Sequence, residues 1–216
     1  FQVPDGQRDV VLTGESVPVY KQVEPVTAAI FMNWLFRWQH VAPGTQQQGT
    51  RGLEQIVRQL QGFEVAANAW ESQVLARRVH GYSPEALDQL CLQGTIGWGR
   101  LSPHPATLED SATGQRRIVP TSVAPIALFA RDDADWMRSK RGDGSDDDFA
   151  RGLSPSAQRV FEHLRARGAL FFADIVRAFE NQDPPLLKSE IETALWELVA
   201  AGVLTADGFD NLRSLI

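Results

Sequence analysis

Residues Ser83–Leu101, SPEALDQLCLQGTIGWGRL, contain in order a short helix, a glycine stop and a strand. Ser83 is of a type preferred as an N-cap, and Pro84 suits the first helical position because its missing N–H is not needed there. Apolar residues then recur at helical spacing until Gly94, which can end the helix, and Ile96–Leu101 follows as an extended segment. The stretch therefore predicts a helix followed by a strand.

The same plan recurs further along the chain. Residues Lys188–Phe209, KSEIETALWELVAAGVLTADGF, again place apolar residues at helical spacing, with Gly202 in the position of Gly94. Gly168 lies 106 residues after Gly62, and Gly202 lies 108 residues after Gly94, so the order of elements recurs at a nearly constant offset. An internal repeat of this size indicates a repeated folding unit. We predict a mainly α fold with small β wings, built as two tandem winged-helix units.

The rest of the chain divides around these two units. An N-terminal hairpin over Asp9–Tyr20 and a helix over Val26–His40, with Ile30, Trp34, Leu35 and Trp38 on one face, are expected to be the remainder of a preceding domain. Because the chain begins at Phe1 without an initiator methionine, we expect it to be a fragment. The predicted segments are 1–48 (hairpin and helix), 49–137 (first unit with an enlarged wing), 138–152 (charged linker) and 153–216 (second unit).

Within each unit the pattern predicts particular elements. For the first unit these are helices over Gly52–Gln61 and Asn68–Val79, an extended piece over Phe63–Val65, and wing strands over Ile96–Leu101 and Pro125–Arg131. For the second unit they are a helix begun by Ser154-Pro155, a strand over Ala169–Phe172, a helix over Asp174–Glu180, a helix capped by Ser189 with Glu192 in a capping box, and wing strands over Val203–Ala206 and Asn211–Ile216.

Composition limits what this chain can be. Its 216 residues are 43% hydrophobic with a net charge of −6, so a core can form but there is no global basic field. The single cysteine, Cys91, excludes an internal disulfide and cysteine-rich zinc motifs, and a cytoplasmic location is the default. No apolar run of about 18 residues predicts a membrane span. We predict no metal site, because the histidines lack ligand spacing: His40, His80, His104 and His163.

Several strings of residues, in order from about Val26 to the end of the chain, are characteristic of one protein family. Among them are Trp98–Leu101 (WGRL), Ala124–Phe129 (APIALF), Gly168–Phe172 (GALFF) and Ala194–Gly202 (ALWELVAAG). These strings resemble the C-terminal region of the bacterial large helicase-related proteins, the Lhr family. The resemblance implies a segment of an ATP-dependent DNA repair helicase that translocates on single strands, with its motor domains in the N-terminal half of the same polypeptide.

The motor itself is missing from this chain. Neither a G-x-x-x-x-G-K-[ST] loop nor an Asp-Glu-x-Asp/His box occurs, so the phosphate cradle and the metal-holding carboxylate of nucleotide hydrolysis are absent. We therefore expect no cofactor in this segment and place ATP and Mg²⁺ in the missing motor. The expected partners are single-stranded or forked DNA and the motor domains of the same polypeptide, with a second copy of the chain as an alternative and no membrane.

The residues at the end of the second predicted helix indicate an alternative function. Gln59-Leu60-Gln61 resembles the Gln-apolar-Gln motif of bacterial winged-helix DNA glycosylases, in which an amide can hold an attacking water beside a flipped nucleotide. On this reading Gln59 and Gln61 are catalytic, and the module excises a damaged or uracil base. The alternative is structural, with both residues on the exposed face and end of a helix and Gln61 bonded to backbone.

The predicted DNA contacts gather in the first unit. Arginines at the end of one helix and along the wing can neutralise phosphates, and an aromatic ring on the wing strand can stack on a base: Arg77, Arg78, Arg100, Arg116, Arg117 and Trp98. The alternatives are a solvated charged face and a tryptophan packed on its own sheet. The third helix of the second unit carries Glu190, Glu192 and Glu197, which would repel phosphate. A structural spacer for self-association is a third possibility.

Overall fold

The computed structural model describes residues 9–12, 15–18, 25–102, 123–135 and 152–213. They belong to two compact units, Phe1–Thr45 and Gln46–Ile216. The division falls close to the predicted boundary at residue 48. The predicted linker, 138–152, lies almost entirely outside the described residues, and the two predicted winged-helix units are parts of one compact unit.

The N-terminal unit contains the predicted hairpin and helix. Strand β1 (Asp9–Leu12) pairs antiparallel with β2 (Glu15–Pro18), which confirms the hairpin. Helix α1 (Ala28–Trp38) is capped by Thr27, whose hydroxyl oxygen accepts from the Ile30 N–H at 3.3 Å. No residue of α1 is buried.

The C-terminal compact unit, Gln46–Ile216, begins with a winged helix. Its elements are β3 (Gln47–Gln48), α2 (Gly49–Leu60), β4 (Val65–Ala66), a π-helical turn (Trp70–Leu75) that continues into α3 (Ala76–Arg78), β5 (Val79–His80), α4 (Pro84–Leu92), β6 (Ile96–Gly99) and β7 (Pro125–Ala130). A three-stranded antiparallel sheet has the order β4–β7–β6. This succession of helices around a small sheet confirms the predicted mainly α fold with small β wings. The predicted helix over Asn68–Val79 is replaced by the π turn and a short α segment.

Helix α2 forms because one of its faces is apolar at helical spacing. Leu53, Ile56 and Val57 are fully buried. Gly52 lies against β3, where an added Cβ would approach the Gln47 Cβ to 2.8 Å, so only glycine fits there without rearrangement. The helix begins three residues before its predicted start, and Gly62 follows its end at φ +80°, a conformation that glycine adopts readily.

The wing strands are set by the pairing of β6 with β7. Trp98 stands opposite Leu128, and Gly97 stands opposite Phe129. An added Cβ at Gly97 would lie 2.9 Å from the Phe129 ring, which explains a glycine in the middle of a buried strand. Both strands end one or two residues before their predicted limits.

The second half of the C-terminal compact unit contains helices only, within its described residues 152–213. They are α5 (Pro155–Arg167), α6 (Phe172–Glu180), α7 (Lys188–Ala201) and α8 (Asp210–Arg213). The Ser154 hydroxyl accepts from the Ala157 N–H at 3.2 Å, which confirms the predicted start of α5. The predicted strand over Ala169–Phe172 is wrong, because Phe172 already begins α6 and its first turn uses the carbonyl of Phe171.

The predicted second wing is also wrong where the structure describes it. Val203–Ala206 is not a strand, and the part of Asn211–Ile216 that is described belongs to α8. The apolar side chains of this tail pack against the core of the first half instead of pairing with one another. Three helices recur in both halves, but a second complete winged helix is not established.

The start of α7 differs from the predicted capping box. The N-cap is Leu187, whose N–H donates to the Glu190 carboxylate at 2.7 Å. Ser189 therefore lies inside the helix, and Glu192 faces Lys188 at 3.9 Å. Glu190 accepts from the N–H of the N-cap Leu187, as Glu192 was predicted to accept from that of Ser189, and the helix begins two residues earlier.

Two hydrophobic cores meet in the C-terminal tail. The first surrounds the winged helix and includes Trp70 and Trp98, together with Val199, Phe209 and Leu212 from the second half. The second lies between α5, α6 and α7. Residues after α7 therefore complete the core of the winged helix.

Candidate nucleic-acid interface

Trp98 lies inside the protein. Its side chain is 1% exposed, and its indole N–H donates to the Gly208 carbonyl at 3.1 Å. Its ring packs edge-on against the Phe209 ring, with 6.1 Å between the ring centroids. The Thr205 hydroxyl donates to the Trp98 carbonyl. The tail covers the indole, so the predicted base-stacking ring is not on the surface of this structure.

Arg100 is likewise turned inward. It is 6% exposed, and its guanidinium donates to the carbonyls of Ser102 at 3.0 Å and Ala200 at 3.2 Å. Ala200 lies in the last turn of α7, where carbonyl groups lack helical partners and a cation is favourable. Arg100 thus joins the winged helix to α7 in the place where a phosphate contact was predicted.

Arg77 and Arg78 lie at an edge formed by the short parallel pairing of β3 and β5. Arg77 is exposed. Arg78 is half-buried and donates to the Val74 carbonyl at 3.1 Å, and burial lowers the pKa of its guanidinium. Gln48 pairs with His80, so the first turn of α2, with exposed Arg51, flanks the same two strands. We call Arg51, Arg77, Arg78 and His80 the β3–β5 edge.

Helix α4, the third helix of the winged helix, carries no cation. Its exposed side chains include Glu85, Gln89 and Leu92, and Asp88 is half-buried. Glu85 is exposed on this helix and disfavours an approach to phosphate, whereas Asp88 is paired with Arg213 at 3.0 Å. Exposed Arg51 and Arg77 lie at the β3–β5 edge instead, whereas Arg58 and Arg131 are paired with carboxylates.

A cluster of charges fastens α8 to α4 and to the π turn. The Arg213 guanidinium lies 2.8 Å from a Glu71 carboxylate oxygen and 3.0 Å from one of Asp88. The Tyr82 hydroxyl donates to Glu71 at 2.7 Å. These bonds raise the pKa of Arg213. No local pattern in the sequence indicates this cluster, because Arg213 is distant from both of its partners along the chain.

Gln61 connects the end of α2 to the end of β7. Its amide oxygen accepts from the Ala130 N–H at 3.3 Å, and its amide nitrogen donates to the Asp133 carboxylate at 3.0 Å. Gln59 lies half-buried in the last turn of α2. Arg58 lies 3.7 Å from Asp133. Both polar atoms of the Gln61 amide therefore form hydrogen bonds that join the end of α2 to the end of β7 and to Asp133.

The acidic face predicted for α7 is smaller than its sequence indicates. Glu197 is 5% exposed, and its carboxylate accepts from the Ser154 N–H at 2.6 Å and from the Ser154 hydroxyl at 2.7 Å. Glu190 caps the helix, and only Glu192 and Glu190 remain exposed. Glu197 is therefore a structural contact between α5 and α7 and does not repel phosphate at the surface.

We expect the free energy of unfolding to decrease as the pH rises above about 9. Burial raises the pKa of the Cys91 thiol to about 12, and burial also raises the pKa of Tyr82. The folded state holds these protons more tightly than the unfolded chain, so stability falls once the unfolded groups ionise. At a pH of about 10, the raised pKa of Cys91 alone should lower the free energy of unfolding by about 1.4 kcal/mol.

Urea unfolding at several pH values measures this dependence. Cys91→Ser should flatten the decrease between about pH 9 and 10, and Tyr82→Phe should flatten it further at higher pH. An unchanged dependence in Cys91→Ser would show that the thiol is not the titrating group.

Two further predicted DNA contacts, Arg116 and Arg117, lie outside the described residues. Among the residues that are described, no group of three or more His, Cys, Asp or Glu side chains is placed to hold a metal ion. Within the same residues, no helix has the length and apolarity needed to cross a membrane.

Comparisons with known proteins show similarity to one family. Residues 26–116 match the family described as large helicase-related protein, winged-helix domain. A Mycolicibacterium smegmatis protein named Lhr helicase/probable uracil glycosylase is 29% identical over 195 residues, which cover 90% of this chain and 11% of that protein. An Escherichia coli protein named Lhr helicase/uracil glycosylase is 27% identical over 206 residues, covering 88% of this chain and 12% of that protein.

The chain therefore spans about a tenth of the length of the curated relatives that it matches. The family match covers α1 and the winged helix as far as the wing, and the two relatives extend the similarity over most of the chain. Most of the chain is therefore similar to proteins of the large helicase-related family, and residues 26–116 match the winged-helix domain of that family.

Proposed function

We propose that this chain is a DNA-binding segment of an Lhr-type ATP-dependent DNA repair helicase. The observation that carries the proposal is a winged-helix topology whose elements from α1 to β6 lie within residues 26–116, which match the winged-helix domain of this family. Winged helices are relatives of the helix-turn-helix, which uses a helix and flanking loops to contact DNA. The motor, with ATP and Mg²⁺, lies elsewhere in the same polypeptide, since the chain has no nucleotide-binding motif.

The distribution of charge supports contact with phosphate rather than base reading by α4. Helix α4 carries Glu85 and Asp88 without a cation. Arg51 and Arg77 are exposed at the β3–β5 edge, and Arg116 and Arg117 lie in the sequence between the two wing strands, outside the described residues. Contacts of this kind bind without regard to base sequence, as a protein that moves along a strand requires.

Binding to single-stranded and forked DNA tests the proposal. Fluorescence anisotropy between about 50 and 200 mM salt should show an affinity that falls steadily as salt rises. Arg77→Gln should weaken binding and reduce the slope of log K against log salt by about 0.7 for a single strand. Arg177→Gln is the matched control, because Arg177 is exposed on α6, outside the winged helix.

Two results would contradict the proposal. Equal weakening by both substitutions would mean that the β3–β5 edge has no special role. An absence of salt-dependent binding in the unmodified chain would favour the structural spacer, and sedimentation would then measure self-association.

A second candidate function is excision of a damaged or uracil base. It is favoured by the names of the two relatives, each of which includes uracil glycosylase, and by the Gln59-Leu60-Gln61 motif. The bonds of Gln61 to Ala130 and Asp133 support a structural role for that residue. Release of uracil from single-stranded DNA by the unmodified chain, lost in Gln59→Ala, would support the enzyme. If Gln59→Ala and Gln61→Ala both released as much uracil as the unmodified chain, the motif would be excluded as the catalytic site.

A further inference from the structure

Helix α1 exposes an unusual amount of apolar surface. None of its eleven residues is buried, and six of its large apolar side chains are between 41% and 58% exposed: Ile30, Phe31, Met32, Trp34, Phe36 and Trp38. Single exposed apolar residues are ordinary on protein surfaces. A contiguous group of this size on one short helix marks a surface that contacts another protein.

The apolar side chains surround most of the helix. The rings of Phe31 and Trp34 stack at 5.9 Å, and those of Trp34 and Trp38 also stack at 5.9 Å, which forms a continuous strip. Met32 and Phe36 are four residues apart and form a second strip, roughly 100° or more from the first at 100° per residue. A helix that is apolar on nearly all sides is one that becomes buried within protein.

The charge of α1 argues against nucleic acid as the occupant. Surfaces that stack single-stranded bases combine aromatic rings with a positively charged groove. Arg37 is the only cation on α1, and Asn33 is the only other strongly polar side chain. The surface is therefore suited to apolar protein.

A second copy of α1 is also a poor occupant. In a symmetric pair the same strip of each helix would face its partner, and the opposite strip would stay in water. A concave apolar groove can cover both strips. The relatives are about eight times as long as this chain, so most of such a polypeptide lies outside these 216 residues, and we place the groove there.

We propose that α1 docks into an apolar groove on another domain of the same Lhr polypeptide, outside these 216 residues. The strip of Phe31, Trp34 and Trp38 inserts into the groove, and Asn33 and Arg37 face water. This inference rests on the proposed Lhr-type polypeptide and not on DNA binding, so the anisotropy experiment and the test below can fail independently.

Thiol labelling at α1 tests the docking. Cys91 is 1% exposed, so a maleimide should react slowly with the unmodified chain. Trp34→Cys places a thiol in the apolar strip, and Asn33→Cys places one on the polar side as a matched control. Both variants are made in the 216-residue chain and in the full-length polypeptide, and labelling is followed by peptide mass spectrometry.

We expect Cys at position 34 to react at least about tenfold more slowly in the full-length polypeptide than in the chain alone, and Cys at position 33 to react similarly in both. Amide hydrogen exchange of unmodified α1 should show the same protection, which covers the case in which Trp34→Cys prevents docking. Equal labelling together with equal exchange would overturn the proposal. Concentration-dependent protection in the chain alone would replace it with self-association, and concentration-independent protection there would replace it with cover from within the chain.

Discussion

Replacement of Trp98 by alanine is expected to lower the free energy of unfolding by about 3–5 kcal/mol, the range for removal of a large buried aromatic side chain. The indole is 1% exposed and packs against Phe209, so its removal leaves a cavity under the C-terminal tail. The carbonyl of Gly208 also loses its donor. Urea unfolding followed by far-ultraviolet circular dichroism measures the loss.

Two matched substitutions separate the contributions at Trp98. Trp98→Phe keeps most of the ring and removes the N–H, so we expect a smaller loss of stability than in Trp98→Ala. Trp34→Ala removes the same side chain at a position that is 53% exposed, where we expect a change within about 0.5 kcal/mol. If Trp98→Ala abolished DNA binding without lowering stability, the ring would be a DNA contact after all.

Replacement of Glu197 by alanine is expected to lower the free energy of unfolding by about 2–4 kcal/mol. Its carboxylate accepts both the N–H and the hydroxyl of Ser154, and Ser154 in turn caps α5 through Ala157. The substitution therefore leaves a backbone donor without its partner between α5 and α7. Hydrogen exchange should rise in the first turn of α5 before it rises in the winged helix.

The control for Glu197 lies on the same helix. Glu192→Ala removes an exposed carboxylate that only approaches Lys188 at 3.9 Å, so its effect should stay within about 0.5 kcal/mol. Glu197→Gln keeps one acceptor oxygen and should cost less than Glu197→Ala. Similar losses in Glu192→Ala and Glu197→Ala would show that burial does not distinguish the two carboxylates.

Local signals in the sequence were enough to predict most helices and the sheet of the winged helix. Pro84 at the first turn of α4 and Ser154 before α5 identify helix starts that the structure contains. Gly62, Gly94, Gly168 and Gly202 all have φ between +77° and +80° at or near helix ends. These features depend on the conformation of a few neighbouring residues, so a single sequence can indicate them.

The candidate interface was harder to predict because its contacts are distant in sequence. Trp98 and Arg100 stand next to glycines in a strand that reads as an exposed wing, yet residues about 100 positions later cover them. The β3–β5 edge depends on a pairing of only two residues in each strand. The missing second wing has a similar cause, because Leu204 and Leu212 pack on a core that lies outside their own half of the chain.

The cover that the tail gives to Trp98 also affects how this region can fold during synthesis. A nascent chain released only as far as β7 contains the whole winged-helix sheet but lacks Val199, Phe209 and Leu212, which complete its core. Arg213, which holds α8 against α4, emerges later still. The winged helix therefore reaches its final packing only after the second half has left the ribosome, and a protein cut within residues 138–152 would leave an indole and an arginine uncovered.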